Sequence, residues 1–170
     1  MWILPFVAII LGVIAADQAS KLIVLAKLYE SQYQLIPDIL HFTYVENRGM
    51  AFGLLSDHRW VFMLFSTIGI ALVGVYLWFY VKDLLGRIAL ALVIGGGIGN
   101  MIDRVAYGFV VDFIDFYPFD FWKWVFNIAD SAVCVGAGMF ILYLILDTVK
   151  ELKKQKAQDA AKEQQDASDS

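Results

Sequence analysis

The sequence predicts a mainly α-helical membrane protein with four transmembrane helices and a small β element at the membrane surface. Of the 170 residues, 60% are hydrophobic and 15% aromatic, and the mean hydropathy is +0.66. A soluble domain of this size could not bury so much apolar surface. Apolar stretches of about 20 residues, the length that crosses a bilayer as a helix, occur four times along the chain.

The four predicted spans differ in character. The first is interrupted by the charged residues Asp17 and Lys21, whereas the second contains no charge. The third is rich in glycine, and the fourth carries an aspartate near its start. The spans run over about Leu4–Lys27, Trp60–Val81, Ile88–Arg104 and Trp124–Leu146.

A β element is predicted between the first two spans. Leu40–Val45 has strand character, and Glu46–Gly49 directly after it is turn-like. We expect this element, at about residues 33–57, to be inserted into a transmembrane domain of residues 1–149. Residues 150–170 form a polar tail with no broad apolar face, for which frayed helix or disorder is expected.

Basic residues predict the orientation in the membrane. Lys82 and Arg87 flank the loop between the second and third spans, and lysines directly follow the fourth span. By the positive-inside rule these residues are cytoplasmic, so both termini are expected in the cytoplasm and the β element outside it. With a net charge of −4 and no basic patch, the chain is not expected to bind nucleic acid.

Polar residues at the ends of three spans are predicted to meet in one leaflet. Strict alternation of the spans places the end of the first, the end of the third and the start of the fourth on the same side. Spacings of three or four residues put the polar residues of each helix on one face. The residues concerned are Asp17, Asn100, Asp103, Arg104, Asn127 and Asp130.

Two carboxylates, Asp112 and Asp130, are the candidates for catalysis, as in an intramembrane aspartyl protease. Ionisable groups at the edge of a bilayer are costly and therefore indicate a function. Two carboxylates in one site hold a proton between them. The ionised group can then activate water while the protonated group stabilises an oxyanion, with the assignment left open. Asn100 and Asn127 are interpreted as residues that orient this pair.

The remaining charged residues have plainer interpretations. Asp103 and Arg104 fit a structural ion pair or a cap at the end of the third span better than a catalytic role. Asp17 and Lys21 either satisfy each other or contact the backbone of a substrate, and the sequence leaves both possibilities open.

Other functional classes fit these residues less well. A serine protease needs a base near its nucleophile, but His41 and His58 fall in a loop region away from the serines of the spans. No histidine pair has metal-ligand spacing on a helix, so neither a metal nor a cofactor is expected. A proton or ion transporter is the main rival, although transporters place such carboxylates near the midplane between repeats. A purely structural or adaptor protein would leave the ionisable groups without a purpose.

Five motifs resemble those of the bacterial lipoprotein signal peptidases, the type II signal peptidases. They occur in the family's order and cover nearly the whole chain except the tail. The motifs are Asp17–Lys21, Asn47–Phe52, Gly99–Arg104, Val110–Phe113 and Phe126–Asp130.

The resemblance implies a fold, a substrate and a set of site residues. Asp112 and Asp130 match the catalytic pair of the family. The expected substrate is a prolipoprotein that carries diacylglycerol on its cysteine and is cut just before that cysteine. The expected setting is the bacterial cytoplasmic membrane, in contact with lipid, with the site near the extracytoplasmic surface and the protein monomeric. The residues expected to bind substrate or orient the site are Asp17, Lys21, Asn47, Arg48, Asn100, Asp103, Arg104 and Asn127.

Overall fold

The computed structural model describes residues 3–29, 31–48, 59–116 and 124–168, and these ranges contain four helices and four strands. The fold class predicted from the sequence, a mainly helical membrane protein with a small β element, is confirmed. The helices are α1 (Leu4–Lys27), α2 (Arg59–Phe79), α3 (Leu84–Ala106) and α4 (Ile128–Ser168).

Helices α1, α3 and α4 are each long and apolar enough to cross a membrane. Helix α2 has 21 residues and includes the apolar stretch Met63–Phe79. At a rise of about 1.5 Å per residue, α2 has about the length of the hydrocarbon layer, and so is long enough for the second of the four predicted crossings. Large apolar side chains such as Leu64, Phe65 and Ile141 are exposed on these helices, as expected for surfaces that face lipid.

Helix α3 is the central helix and packs against the other three. Half of the residues in the most apolar stretch of α3 are buried within the protein, against 17% in α1 and 6% in α4. Glycines allow this packing, because a Cβ at Gly96 would collide with the backbone carbonyl of Ala129 on α4. A Cβ at Gly99 would lie 2.7 Å from Asp17 Oδ2 on α1. The three helix backbones can therefore approach one another closely.

A four-stranded antiparallel sheet lies at one end of the helices, with the strand order β1-β2-β3-β4. The strands are β1 (Tyr33–Ile36), β2 (Leu40–Asn47), β3 (Val110–Phe116) and β4 (Val125–Phe126). Val111 and Phe113 on β3 pack with Val24 near the end of α1 in a small apolar core. This core fixes the sheet against the helices.

The turn from α3 into β3 depends on a glycine. Gly108 follows the last turn of α3 and has a φ of 83°, a left-handed conformation that glycine adopts without steric cost. The chain can therefore reverse at once, and β3 returns along the sheet only four residues after α3 ends. The residues of β3 are thus held close to the polar end of α3.

The observed elements differ from the predicted ones at three places. The fourth span was predicted from Trp124, but α4 begins at Ile128 because Val125 and Phe126 pair with β3. Helix α4 also continues to Ser168, through the polar tail. Strand β3 was not predicted as part of the sheet. Of the predicted β element at residues 33–57, the part at 49–57 lies outside the described residues.

Candidate active site

A buried group of three charged side chains, Asp17, Lys21 and Asp103, joins α1 to α3. Lys21 Nζ lies 2.8 Å from Asp17 Oδ2 and 2.8 Å from Asp103 Oδ2, and none of the three side chains is more than 2% exposed. Lys21 Nζ also donates a hydrogen bond of 3.1 Å to Asn100 Oδ1. We call this group the charge cluster. Because both carboxylates meet the same ammonium group, the cost of burying their charges is offset within the cluster.

The charge cluster also holds backbone from two other elements. Asp17 Oδ1 accepts a hydrogen bond of 2.9 Å from the Ala129 amide at the start of α4. Asp103 Oδ2 accepts one of 3.0 Å from the Val111 amide on β3. These two amides belong to the residues directly before the two candidate catalytic aspartates. The cluster therefore fixes the backbone from which both of those side chains project.

Asp112 lies on β3 with its carboxylate enclosed by two amides. Asn47 on the paired strand β2 donates a hydrogen bond of 2.8 Å to Oδ2, and Asn127 donates one of 2.6 Å to Oδ1. Burial raises the pKa of Asp112 to about 6; the hydrogen bond from Asn47 opposes the rise, and the charge of Asp130 adds to it. Asp112 thus holds a proton at a pH where an ordinary aspartate has lost it.

Asp130 lies in the first turn of α4 and forms a reciprocal cap with Asn127. The Asp130 amide donates to Asn127 Oδ1 at 2.7 Å, and the Asn127 amide donates to Asp130 Oδ2 at 3.3 Å. Asn100 Nδ2 on α3 donates to the other carboxylate oxygen, Oδ1, at 2.8 Å. The cap fixes the carboxylate of Asp130 at the N-terminus of α4, where the helix dipole favours negative charge.

Asn127 links the two aspartates. Its side chain is fully buried and contacts Asp112 through Nδ2 and the Asp130 amide through Oδ1. The same Nδ2 lies 3.1 Å from Asn100 Oδ1, and Asn100 in turn binds Asp130. One asparagine therefore sets the positions of two carboxylates that come from different elements.

Two cavities open on the carboxylate pair. The first, of about 560 Å³, lies among α2, α3 and α4 and includes Asp130. The second, of about 380 Å³, lies beside the sheet and includes Asp112. We call them the membrane cavity and the sheet cavity. Both are lined by Asn47, Trp124 and Val125, so they adjoin each other at the pair.

Asp103 and Arg104 do not form the ion pair proposed from the sequence. The ion pair of Asp103 is with Lys21 on α1. Arg104 lines the membrane cavity with Asp130, and its Nη1 lies 3.4 Å from the backbone oxygen of Asn100. Adjacent helix residues point in different directions, so Asp103 faces α1 while Arg104 faces the cavity.

Three residues at the site had no role in the sequence analysis. Gln18 Nε2 donates to Asp103 Oδ1 at 2.9 Å and to the Gly99 backbone oxygen at 3.2 Å. Glu46 and Trp124 line the sheet cavity. The available signal for Gln18 was its place beside Asp17 on a polar helix segment. Glu46 and Trp124 could be found only once the pairing of the sheet was known.

Within the described ranges, no group of three His, Cys, Asp or Glu side chains is arranged to hold a metal ion. In the charge cluster, the position between Asp17 and Asp103 is taken by the ammonium group of Lys21. The expectation of a metal-free site stays a prediction.

The sequence model of the signal peptidase (SPase) II family matches residues 9–146, which include every residue of the site described above. The chain belongs to the signal peptidase II family. As a signal peptidase II it is an aspartic endopeptidase and a multi-pass membrane protein of bacteria.

Named relatives and solved structures agree with this family. The lipoprotein signal peptidase of Halothermothrix orenii is 42% identical over 139 residues, covering 80% of this chain and 92% of its own length. That of Shewanella piezotolerans is 45% identical over 168 residues, covering 91% and 92%. Two bacterial membrane enzyme structures obtained by the in meso method have TM-scores of 0.75 and 0.76. They are 33% and 32% identical, covering 87% and 85% of this signal peptidase and 92% and 94% of their own chains.

Proposed function

We propose that Asp112 and Asp130 act together as the catalytic pair with which this signal peptidase removes the signal peptides of prolipoproteins. The observation that carries the proposal is that Asn127 binds both carboxylates, donating from Nδ2 to Asp112 Oδ1 and from its backbone amide to Asp130 Oδ2. Both carboxylates also border a cavity, whereas the charge cluster is closed to solvent. An aspartyl protease requires two acidic groups that are held in one orientation and can be reached by substrate and water. The pair has these properties.

The reaction follows from one proton shared by the pair. The ionised carboxylate takes a proton from a water molecule, and the water oxygen attacks the carbonyl carbon of the scissile bond. The protonated carboxyl donates its proton to the carbonyl oxygen, which stabilises the tetrahedral intermediate. A proton then passes to the amide nitrogen of the leaving chain, and the carbon–nitrogen bond breaks. The raised pKa of Asp112 supports retention of a proton within the pair.

The surrounding residues hold the pair in position. Asn47, Asn100 and Asn127 orient the carboxylates through their amides. The residues of the charge cluster, Asp17, Lys21 and Asp103, act one step further away, through the backbone of α4 and β3. Arg104 and Arg48 face the two cavities, where substrate would lie.

The substrate would be a prolipoprotein with diacylglycerol on its cysteine, cut on the N-terminal side of that cysteine. A membrane cavity lined by α2, α3 and α4 can receive an apolar signal helix from the lipid. The carboxylate pair at its polar end would meet the scissile bond where the signal helix leaves the hydrocarbon layer. Lipid on the cysteine would keep the bond at that depth.

The site would face the extracytoplasmic side, with both termini in the cytoplasm. At the end of the bundle away from the sheet, Lys150 Nζ lies 3.8 Å from Asp83 Oδ2, beside Lys82 and Arg87. This collection of basic residues supports a cytoplasmic position for that end. Residues 1–149 would then form the peptidase domain, and residues 150–170 a cytoplasmic extension of α4.

Cleavage by the purified protein tests this function. A precursor peptide with diacylglycerol on its cysteine should be cut just before that cysteine, and mass spectrometry of the products identifies the bond. The same peptide without lipid is the control and should be cut much more slowly. Proton flux in reconstituted vesicles without any cleavage would support a transporter instead, although the family match is to a peptidase.

A further inference from the structure

The sheet cavity contains an ion pair to which the proposed reaction gives no role. Arg48 Nη2 lies 2.7 Å from Glu46 Oε2. Tyr44 Oη donates a hydrogen bond of 3.0 Å to the other carboxylate oxygen, and the Arg48 guanidinium lies over the ring of Phe109 at 5.6 Å from its centroid. Both charged residues line the cavity together with Asp112. The pair thus lies on the wall of the cavity that also contains Asp112.

The contacts of Glu46 and Tyr44 determine their protonation states at neutral pH. The hydrogen bond from Arg48 lowers the pKa of Glu46, so the carboxylate is ionised. Burial and the hydrogen bond to Glu46 raise the pKa of Tyr44 to about 12, so its hydroxyl stays a neutral donor. The two opposite charges largely compensate each other while both are present.

Given the proposed function, the positions of the two cavities on either side of the carboxylate pair indicate the direction in which the substrate chain runs through the site. The membrane cavity lies among helices, so it would hold the apolar signal segment before the scissile bond. The sheet cavity adjoins it across the carboxylate pair and is bordered by Glu46 and Arg48. The chain after the scissile bond would therefore pass along the sheet cavity.

We propose that Glu46 and Arg48 together set the charge selectivity of the sheet cavity for the first residues of the mature lipoprotein. With both present, neither a cation nor an anion in the substrate is strongly favoured. Removal of one leaves the other uncompensated, and the selectivity should move toward the opposite charge. The two removals should act in opposite directions, which a purely structural role does not produce.

The test compares two diacylglyceryl-modified precursor peptides that differ only in the residue after the lipidated cysteine, Lys in one and Asp in the other. The measured quantity is the ratio of kcat/KM for the Lys peptide to that for the Asp peptide, with the full-length enzyme. Arg48→Gln should raise this ratio about two- to fivefold, and Glu46→Gln should lower it by a similar factor. Both changes should shrink at high salt, because the groups are partly exposed.

Matched controls remove one charge outside the cavity, one at the end of α1 and one in the turn between β1 and β2. Lys27→Gln and Asp38→Asn change the net charge as the two test variants do, but neither residue lines the cavity. Their ratios should equal that of the wild type. The proposal is overturned if the two test variants move the ratio in the same direction, leave it unchanged, or match their controls. Failure of the wild type to cut either peptide would instead count against the proposed function itself.

Discussion

The carboxylates of the charge cluster and those of the catalytic pair differ in their polar partners and in their access to a cavity. Burial does not separate them, because Asp17 and Asp103 are buried as fully as Asp112. The acids of the charge cluster share the ammonium group of Lys21 and border no cavity among those described. Asp112 and Asp130 are held by the neutral amides of asparagines and border open space. A buried acid with a cation partner is a structural element, whereas one with amide partners and access to substrate can exchange a proton.

The largest expected effect is the loss of catalysis when either member of the pair loses its proton chemistry. Asp112→Asn and Asp130→Asn keep the side-chain shape but remove the acid, so kcat/KM should fall by about 10²- to 10⁴-fold. Cleavage of the lipidated precursor measures the loss, and gel filtration in detergent checks that the variants are folded. Cleavage at near wild-type rate by either variant would end the assignment of that residue.

Substitutions in the charge cluster should mainly lower the stability of the protein. Lys21→Met leaves two carboxylates buried without their cation, so the free energy of unfolding should fall by about 3–5 kcal/mol. Thermal unfolding in detergent measures the change. Lys27→Met, on an exposed position of the same helix, is the control and should have little effect. A Lys21→Met protein of undiminished stability but without activity would place Lys21 with the catalytic groups.

Asp103→Asn tests the same distinction from the acidic side of the cluster. It removes a negative charge from Lys21 and weakens the bond to the Val111 amide. We expect mainly lower stability or expression, with residual cleavage in whatever protein folds. Full expression with complete loss of cleavage would contradict a structural role for Asp103.

A substitution at the close backbone contact between α3 and α4 should affect the charge cluster and the catalytic pair together. Gly96→Ala places a Cβ against the Ala129 carbonyl, directly before Asp130, and overpacking of this kind costs about 1–3 kcal/mol. Stability and kcat/KM should both fall, because the two helices carry parts of the cluster and of the catalytic pair. At Gly138 an added Cβ meets nothing within 4 Å, so Gly138→Ala should leave kcat/KM unchanged and should not lower stability, because alanine is a better helix former than glycine.

The smallest expected effect is a shift in the pH profile. Asn47 stabilises the ionised form of Asp112 through its hydrogen bond, so Asn47→Ala should raise the pKa of Asp112 further. The pair then keeps its shared proton to higher pH, and the alkaline limb of kcat/KM should move upward. Gln34→Ala, on the exposed strand β1, is the control. A downward shift would show that Asn47 does not stabilise the ionised carboxylate.

The helices and the motifs could be predicted from the sequence. Apolar runs of membrane length define spans with little help from tertiary contacts. Alternation of those spans then brought Asp17, Asn100, Asp103, Asn127 and Asp130 to one leaflet, and the structure places all five in one network. The partner of Asp103 could not be deduced in this way, because the facing direction of a helix depends on how it packs.

The sheet was the less predictable part. Strand β4 consists of only Val125 and Phe126, too short to show a pattern in the sequence. Strand β3 pairs with β2, which lies far from it in the sequence, so local propensity carries little information about that pairing. The sheet cavity, with Glu46 and Trp124 on its wall, exists only after that pairing has formed.

The sequence by itself determined that this chain lives in a membrane, which family it belongs to, and which acids lie near one end of the helices. Only the tertiary structure decided how those acids are divided, with Lys21 bridging Asp17 and Asp103 while Asn127 joins Asp112 to Asp130. The physical reason is that composition and spacing fix depth and helix face, whereas the partner of a buried charge is set by the rotation and close approach of neighbouring elements.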